Sequence, residues 1–389
     1  MRCLLPILLV LMLVSAPSWA QEPPSGGFAV GEDALWDVFE AQPSLEAALV
    51  VEALARRNGL LSRLTPPPSR SRLSLALSEG AIRADLYQGE APPLAALVLI
   101  PGAEPQGIEN PLLVSLAETL ARVRFTVLVP EIPGLCDLQL RPGDIAAIRG
   151  VFEQALSLSS FSAAGVVGIG AISYSVGPAV LAALDPAVGQ RAAFFFGIGG
   201  YYDLQDVITF FATGEFEARG GMRCHLEPNV YGKWVFINSM IPSLERASDR
   251  MTFEAMVRRK LEDLDAPIDD LARRLSPQAR VLYELATVTD PRRFPSLVAR
   301  LPSGVRASLA RLDLAQADLS GFRPSAILLH SRGDDIIPYP QSVELAAALP
   351  RAEVFLADFG HVEIESLQPD EALPVLKALD ALLRQRRSP

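Results

Sequence analysis

Two serines stand among small residues at positions 168–177, where the sequence reads Gly-Ile-Gly-Ala-Ile-Ser-Tyr-Ser-Val-Gly. The pattern predicts a buried strand that turns directly into a helix. Such a turn exposes a serine hydroxyl at the sheet edge, and the first amides of the helix can stabilise a developing oxyanion. A nucleophile there needs small residues two positions before and after it, and Ser173 and Gly177 meet this need around Ser175. We therefore predict Ser175 as the nucleophile, although a buried serine-rich turn without catalytic use has a similar pattern.

A serine nucleophile needs a general base, and the sequence contains three histidines. His225 lies in a long helical stretch. His330 lies inside a predicted strand, where a histidine is more often structural than catalytic. His361 is on a loop that follows the last predicted strand. This position favours His361 as the base.

The base in turn needs a carboxylate that orients it, and the segment after residues 326–330 supplies Asp334 and Asp335. Asp203, which follows an earlier strand, is a further candidate. An oxyanion site also needs an amide from a loop beside the nucleophile. Residues 101–103, Pro-Gly-Ala, end a predicted strand where such a loop is expected. The sequence thus contains a nucleophile, an acid and a base in the chain order Ser, Asp, His.

These candidates follow short apolar runs that alternate with helical patterns. The runs are rich in Val, Ile, Leu and Phe, which is typical of parallel strands buried on both faces. We predict strands at residues 96–100, 125–129, 165–172, 192–198, 326–330 and 353–356, and helices at 111–122, 144–158, 176–184, 341–349 and 370–384. The alternation predicts an α/β fold with a doubly wound, mostly parallel sheet. An antiparallel hairpin with a turn at Glu79-Gly80 precedes it.

In order and spacing, these motifs resemble the α/β-hydrolase family over residues 72–200 and 323–383. The resemblance implies a sheet of the α/β-hydrolase type and a serine hydrolase activity. It implies Ser175 as nucleophile in a Ser-x-Ser-x-Gly turn, with His361 as base and Asp334 as acid. The amides of Val176 and Ala103 are the implied oxyanion hole.

The choice among the carboxylates also comes from the resemblance. The family usually places its acid four residues before a proline, which here is Pro338 and selects Asp334 over Asp335. Asp203 corresponds to a strand that only some members use for the acid. The sequence has Ser173 where the family most often has glycine, and Pro-Gly at 101–102 where many members have His-Gly. Both departures keep the small side chain and the backbone amide that the site requires.

Composition divides the chain into five segments. The Pro-rich run at 65–69 cannot lie inside a helix and predicts a linker, and the helical, Arg-rich stretch before Gly321 predicts a lid or cap between two parallel strands. The predicted segments are a signal peptide (1–20), an N-terminal helical appendage with the linker (21–70), the first part of the hydrolase core (71–200), the helical lid insertion (201–321) and the second part of the core (322–389).

The first twenty residues have the pattern of an export signal. Arg2 precedes an apolar run at positions 4–14, and small residues Ser18 and Ala20 stand before Gln21. The run is shorter than the roughly 20 apolar residues that cross a bilayer. We predict cleavage after Ala20 and a periplasmic or secreted protein with no integral membrane segment.

Export changes the expectation for the cysteines. Cys136 and Cys224 remain after signal cleavage, and an oxidising compartment would allow them to form a disulfide. Two buried free thiols are the alternative, because no geometric test is possible without coordinates. A bridge would tether the insertion to the core.

The composition describes a folded, acidic protein. Half of the residues are apolar (50%), 21% are charged and the net charge is −10, which argues against disorder and against nucleic-acid binding. No Walker loop, paired-cysteine zinc pattern or His-Glu-x-x-His motif is found, so we expect no cofactor and no metal.

The favoured function is an exported serine hydrolase that cleaves a small-molecule carboxylic ester. An amidase or peptidase with the same triad and a non-catalytic binding module of the same fold are the alternatives.

Overall fold

The computed structural model describes residues 36, 38, 39, 42–56, 59–218, 220–288, 290–358 and 372–387. Within them, one sheet of eight strands has the order β1-β2-β4-β3-β5-β6-β9-β10, and β7 pairs with β8 separately. The strands are β1 Ser69–Leu77, β2 Gly80–Gln88, β3 Ala95–Ile100, β4 Phe125–Pro130, β5 Val167–Ile172, β6 Phe194–Ile198, β7 Glu215–Ala218, β8 Met222–His225, β9 Ser325–Ser331 and β10 Ala352–Ala357. All six predicted parallel strands are present.

The sheet is antiparallel at one edge and parallel elsewhere. β1 and β2 form the predicted hairpin, in which Leu77 pairs with Gly80 and the turn residues are Ser78 and Glu79, one position before the predicted Glu79-Gly80. β2 runs antiparallel to β4, and every later pair is parallel. Because parallel strands end at the same edge of the sheet, the loops after β3, β5, β6, β9 and β10 lie along one side.

Helices connect the parallel strands, as the alternation predicts. The described helices are α1 Pro43–Ala55, α2 Leu60–Leu64, α3 Pro111–Arg122, α4 Pro133–Cys136, α5 Gly143–Leu156, α6 Ser159–Ala164, α7 Val176–Ala183, α8 Pro186–Gly189, α9 Leu204–Thr213, α10 Val230–Met240, α11 Ala247–Glu262, α12 Asp269–Ala272, α13 Pro277–Thr287, α14 Phe294–Ala299, α15 Ser303–Leu312, α16 Pro340–Ala348 and α17 Ala372–Arg384. None of them is both long and apolar enough to cross a membrane.

Two hydrophobic cores lie on the two faces of the sheet. Val98 and Ile100 of β3 belong to the first core, whereas Leu97 and Leu99 belong to the second. Successive side chains of a strand point to opposite faces, which separates the cores. Helices α5, α7 and those between β6 and β9 pack in the first core, and α1, α3 and α17 pack in the second.

The segment between β6 and β9 adds no strand to the large sheet. It contains helices α9 to α15, as expected, and also the β7–β8 hairpin, which the sequence analysis did not predict. Gly214 ends α9 with a φ of 73°, and Gly220 and Gly221 have φ values of 88° and 78°. These backbone conformations are readily available only to glycine, so the three glycines permit the sharp turns around the hairpin.

The N-terminal segment packs onto the sheet rather than standing apart from it. Helix α1 lies against α17 and α3 and fills part of the second core. Glu46 of α1 forms a buried ion pair with Arg386, just after α17. The predicted linker is short, since β1 begins at Ser69. The predicted signal peptide, residues 1–20, lies outside the described residues.

Candidate active site

A cavity of about 500 Å³ opens at the sheet edge where the parallel strands end. It is lined by the loop after β3, the turn after β5 and the loop after β9. Helices α9 and α10 complete one side of the cavity, and α3 and the end of α1 complete the other. The cavity therefore lies where the sequence analysis expects the reactive residues to meet.

Ser173 is the first residue after β5 and lines the cavity. Its φ of 56° is one of three positive values among the described non-glycine residues. This conformation costs a non-glycine residue roughly 1–3 kcal/mol and is typical of functional turns. A strained serine between a strand and a helix has the geometry of a nucleophile elbow.

Ser175, the predicted nucleophile, does not line the cavity. The prediction that its hydroxyl is exposed at the sheet edge is wrong. Ser175 is fully buried. Its Oγ accepts a hydrogen bond from the Ile172 amide at 3.0 Å and lies 2.9 Å from the Ile172 carbonyl oxygen. The Ser175 side chain therefore stabilises the turn by hydrogen bonding to its backbone at Ile172. In the pattern Ala-Ile-Ser-Tyr-Ser, Ser175 is the small residue two positions after Ser173, which lines the cavity.

The amide of Val176, predicted as an oxyanion donor, is also engaged elsewhere. It donates to the Ser173 carbonyl oxygen within the short 3₁₀ turn Ser173–Ser175. The residue that follows Ser173 is Tyr174, which also lines the cavity. Its amide takes the place of Val176 as the first candidate donor, because the usual donor is the residue after the nucleophile.

Ala103 remains a candidate donor where the sequence predicts one. The loop after β3 passes close to the elbow, since a Cβ added to Gly102 would lie 3.4 Å from Ser173 Cβ. Ala103 lines the cavity, and its amide has no hydrogen-bond acceptor among the described residues. An amide without a partner beside a serine hydroxyl is suited to binding an oxyanion.

Asp334 is held rigidly in the turn after β9. It is 1% exposed, and its Oδ1 accepts hydrogen bonds from the amides of Ile336 and Ile337 at 2.9 and 2.8 Å. Its Oδ2 lies 3.1 Å from His330 Nε2. A fixed, buried carboxylate is suited to orienting a base.

His330 has the structural environment that the sequence analysis expects. It is fully buried, with Nδ1 2.7 Å from Ser342 Oγ and Nε2 2.8 Å from the Ile337 carbonyl oxygen. These contacts join β9, the turn after it and α16. His330 therefore helps to position Asp334.

The two alternative carboxylates have different surroundings. Asp335 lines the cavity, and its carbonyl oxygen accepts a hydrogen bond from the Asn229 amide. Asp203 caps helix α9 by accepting hydrogen bonds from the amides of Gln205 and Asp206 at 2.8 and 3.0 Å. Asp203 is absent from the lining, so the structure gives it a capping role.

His361, the predicted base, lies outside the described residues. The chain is described up to Asp358, which follows β10 and lies against the turn after β9. A Cβ added to Gly333 would lie 2.9 Å from Asp358 Oδ1. Asp358, the last described residue before this gap, therefore lies beside the turn that carries Asp334.

Solved structures resemble this architecture. A putative hydrolase from Legionella pneumophila subsp. pneumophila has a TM-score of 0.51 at 12% sequence identity, and the match covers 87% of this chain and 94% of that one. The chain has the α/β-hydrolase fold. At this identity the likeness concerns the fold alone.

Two other solved structures match with lower TM-scores. A thermophilic carboxylesterase cloned from a metagenomic library has 14% identity and a TM-score of 0.46, with 94% of this chain and 100% of that one covered. An esterase from Pyrobaculum calidifontis has 14% identity and a TM-score of 0.46, with 90% and 97% covered. Comparisons with protein-family models and with curated proteins give no match.

The walls of this α/β-hydrolase cavity are mainly apolar. Among the described lining residues, Glu104 and Asp335 are the only charged ones. Burial raises the pKa of the Tyr174 and Tyr201 hydroxyls well above the usual value, so both stay neutral. The described lining residues thus offer no cation to an anionic substrate, and no cluster of described residues could hold a metal ion.

The possible disulfide between Cys136 and Cys224 is not formed, because both thiols are free. Cys136 lies under the loop after β3, where a Cβ added to Gly107 would be 2.7 Å from its Sγ. Cys224 lies on β8, opposite Phe216 of the separate hairpin. Burial raises the pKa of the Cys136 thiol to about 11, which makes it unreactive at neutral pH.

Proposed function

We propose that this protein is a serine hydrolase that cleaves a carboxylic ester through an acyl-Ser173 intermediate. The observation that carries the proposal is the strained Ser173 at the carboxyl end of β5, facing a largely apolar cavity beside the loop of Gly102 and Ala103. Backbone strain at a non-glycine residue persists where the surrounding structure enforces it, most often at sites of chemistry.

The proposed reaction is a double displacement. His361 accepts the proton of Ser173 Oγ as the oxygen attacks the ester carbonyl carbon, and the amides of Ala103 and Tyr174 stabilise the oxyanion. His361 then protonates the leaving alcohol. Water hydrolyses the acyl-enzyme by the same steps in reverse order, and Asp334 keeps the imidazole in the required tautomer.

A fluorophosphonate probe tests the nucleophile, with Ser175→Ala as the matched control for Ser173→Ala. We expect the unmodified protein and Ser175→Ala to be labelled and Ser173→Ala to remain unlabelled. Peptide mapping by mass spectrometry should place the adduct on Ser173, and circular dichroism checks that both variants fold. An adduct on Ser175, or undiminished labelling of Ser173→Ala, would contradict the proposal.

An ester is favoured over an amide because the cavity is apolar and supplies few groups that could hold a peptide backbone. Matched ester and anilide substrates with the same acyl group separate the two activities. We expect a much larger kcat/KM for the ester. Comparable values for the two substrates would favour the amidase or peptidase alternative.

Export is a second part of the proposal and rests on the pattern of residues 1–20. Expression of the full sequence in a bacterium, followed by N-terminal sequencing of the periplasmic fraction, tests it. We expect the mature protein to begin at Gln21. A protein that keeps Met1 and stays in the cytoplasm would contradict this part alone.

A further inference from the structure

Two groups of residues line the cavity around Ser173. One group, here called the aliphatic arm, comes from helix α1, helix α3 and the ends of β5 and β6. It is lined by Leu54, Leu112, Leu113, Leu116, Ile172 and Ile198. The other group comes from helices α9 and α10 and includes Val207, Phe211 and Phe236.

The two groups of lining residues belong to the cores on opposite faces of the sheet. Leu54, Leu113 and Ile198 of the aliphatic arm belong to the second core, whereas Val207 and Phe236 of the other group belong to the first. Ser173 follows a strand that separates these cores. A bound ester would therefore place one of its two substituents on each side of the sheet edge.

Leu54 gives the aliphatic arm an unexpected wall. It lies in the last turn of α1, which precedes the first strand of the sheet, and is 7% exposed. Its position is fixed because α1 packs on α17 and α3. On α3, Asn110 caps the helix by accepting hydrogen bonds from the amides of Leu112 and Leu113 at 2.9 and 3.2 Å. Both walls of the arm are thus parts of well-anchored helices.

The chemistry of these walls selects an aliphatic group. All six residues that define the arm are aliphatic, and the polar lining residues of α3, Ser115 and the N-cap Asn110, are uncharged. Each methylene that leaves water for such a surface improves binding by about two- to fourfold. A flexible linear chain fits between leucines and isoleucines without needing a hydrogen-bond partner.

We propose that the aliphatic arm binds a linear alkyl chain on one side of the scissile ester bond, and that Leu54 is a specificity-determining residue. This inference rests on the proposed esterase function. It gives the N-terminal helix α1 a part in substrate selection besides its structural one. The substrate class is an ester with one medium-length aliphatic substituent.

Two series of esters show which side of the bond occupies the arm. In p-nitrophenyl esters the acyl chain grows from acetate to decanoate, and in alkyl acetates the alcohol grows from ethyl to decyl. We expect the ratio of kcat/KM between the longest and the shortest substrate to exceed tenfold in one series. Leu54→Trp should bring this ratio close to one, because the indole ring fills the arm.

Leu60→Trp is the matched control, since Leu60 is exposed and absent from the cavity lining. It should keep the ratio of the unmodified protein. Thermal unfolding shows whether Leu54→Trp folds. If it does not, Leu112→Phe is the second variant, because Leu112 is a half-buried residue of α3 that lines the same arm. It should lower the ratio in the same way. Equal ratios in all variants, or no dependence on chain length in either series, would overturn the proposal.

Binding of 1-decanol to Ser173→Ala, followed by calorimetry, separates this proposal from the esterase function. We expect Leu54→Trp in the Ser173→Ala background to weaken binding at least tenfold. If no ester is hydrolysed but decanol binding depends on Leu54, the esterase proposal fails and the aliphatic arm stands. If Leu54→Trp leaves the affinity for decanol unchanged, the proposal that the aliphatic arm binds an alkyl chain is wrong, even if the enzyme hydrolyses esters.

Discussion

Ser173 shows how a single backbone dihedral distinguishes two residues of the same type. Ser173 and Ser175 both have small neighbours two positions away, so side-chain size admits either as the exposed residue. The end of β5 at Ile172 decides between them, because the residue after the strand must turn sharply into the helix. Ser173 takes the positive φ, and Ser175 is buried behind it, where its hydroxyl accepts a hydrogen bond from the Ile172 amide.

The choice between Asp334 and Asp335 is testable at the same scale. We expect Asp334→Asn to lower kcat by about 10³- to 10⁴-fold, because an amide cannot stabilise the imidazolium that forms during attack. Asp335→Asn is the matched control and should lower kcat less than about tenfold, since Asp335 lies on the cavity wall. Steady-state kinetics on a short ester measures both. The reverse ranking would identify Asp335 as the acid.

Helix α5 begins with a carboxylate that the surrounding loop buries. Asp144 is 3% exposed, and its Oδ2 accepts a hydrogen bond from the Arg141 amide at 3.1 Å. Burial raises the pKa of Asp144 from 3.8 to about 7, and the amide of Arg141 only partly opposes this effect. Since no Cβ would fit at Gly134 beside Asp144 Oδ1, the loop before α5 closes tightly over the carboxyl group.

This burial predicts a pH dependence of stability. Below pH 4 the carboxyl group is protonated in both the folded and the unfolded state. As the pH rises towards 7, the unfolded state loses the proton first, so the folded state loses stability relative to it. The raised pKa corresponds to about 4 kcal/mol, fully lost above pH 7. Asp144→Asn removes the titration and should exceed the unmodified protein in unfolding free energy at pH 8.

Urea unfolding at pH 4 to 8 measures this difference. We expect the gap between Asp144→Asn and the unmodified protein to widen steadily between these limits. A gap that does not change with pH would mean that Asp144 is ionised in the folded protein at neutral pH.

At the scale of the whole molecule, the two ends of the described chain are joined. Arg386 Nη1 donates to Glu46 Oε1 at 2.7 Å, and the Arg386 and Glu46 side chains are 2% and 1% exposed. The guanidinium also lies 5.7 Å from the centre of the Phe125 ring. The pair attaches α1 to α17, and α1 in turn forms a wall of the cavity. The integrity of the site thus depends on contacts between distant parts of the sequence.

Breaking this buried pair should be costly. We expect Glu46→Ala to lower the unfolding free energy by about 3–5 kcal/mol, because it leaves the Arg386 cation buried without its partner. Replacing both residues with leucine should recover much of the loss. Asp290→Ala, which breaks the exposed pair with Arg292, is the control and should leave stability almost unchanged. Equal effects of Glu46→Ala and Asp290→Ala would contradict the role of the pair.

The free cysteines lead to a further expectation at this scale. In protein unfolded without reductant, iodoacetamide should modify both Cys136 and Cys224, as read from peptide masses. In the folded protein at pH 8, Cys136 should react very slowly because its pKa is raised to about 11. A disulfide-linked peptide containing both residues would contradict the structure.

Short apolar runs that alternate with amphipathic helices made most of the fold predictable. A parallel strand buried on both faces needs a continuous apolar run, and this local requirement located all six parallel strands, helix α3 from 111 to 122 and the turn that carries Asp334. The loop that carries Ala103 was predictable for the same reason. These features depend on neighbours in the sequence.

Other features depend on distant residues and needed the tertiary structure. The position of Ser173 rather than Ser175 on the cavity wall depends on where β5 stops against β3 and β6. The separation of Cys136 from Cys224 and the position of Leu54 depend on how α1 and the segment between β6 and β9 pack onto opposite faces of the sheet. Local pattern determines which residues form a strand or a helix, but only packing determines which side chains from remote segments share a cavity.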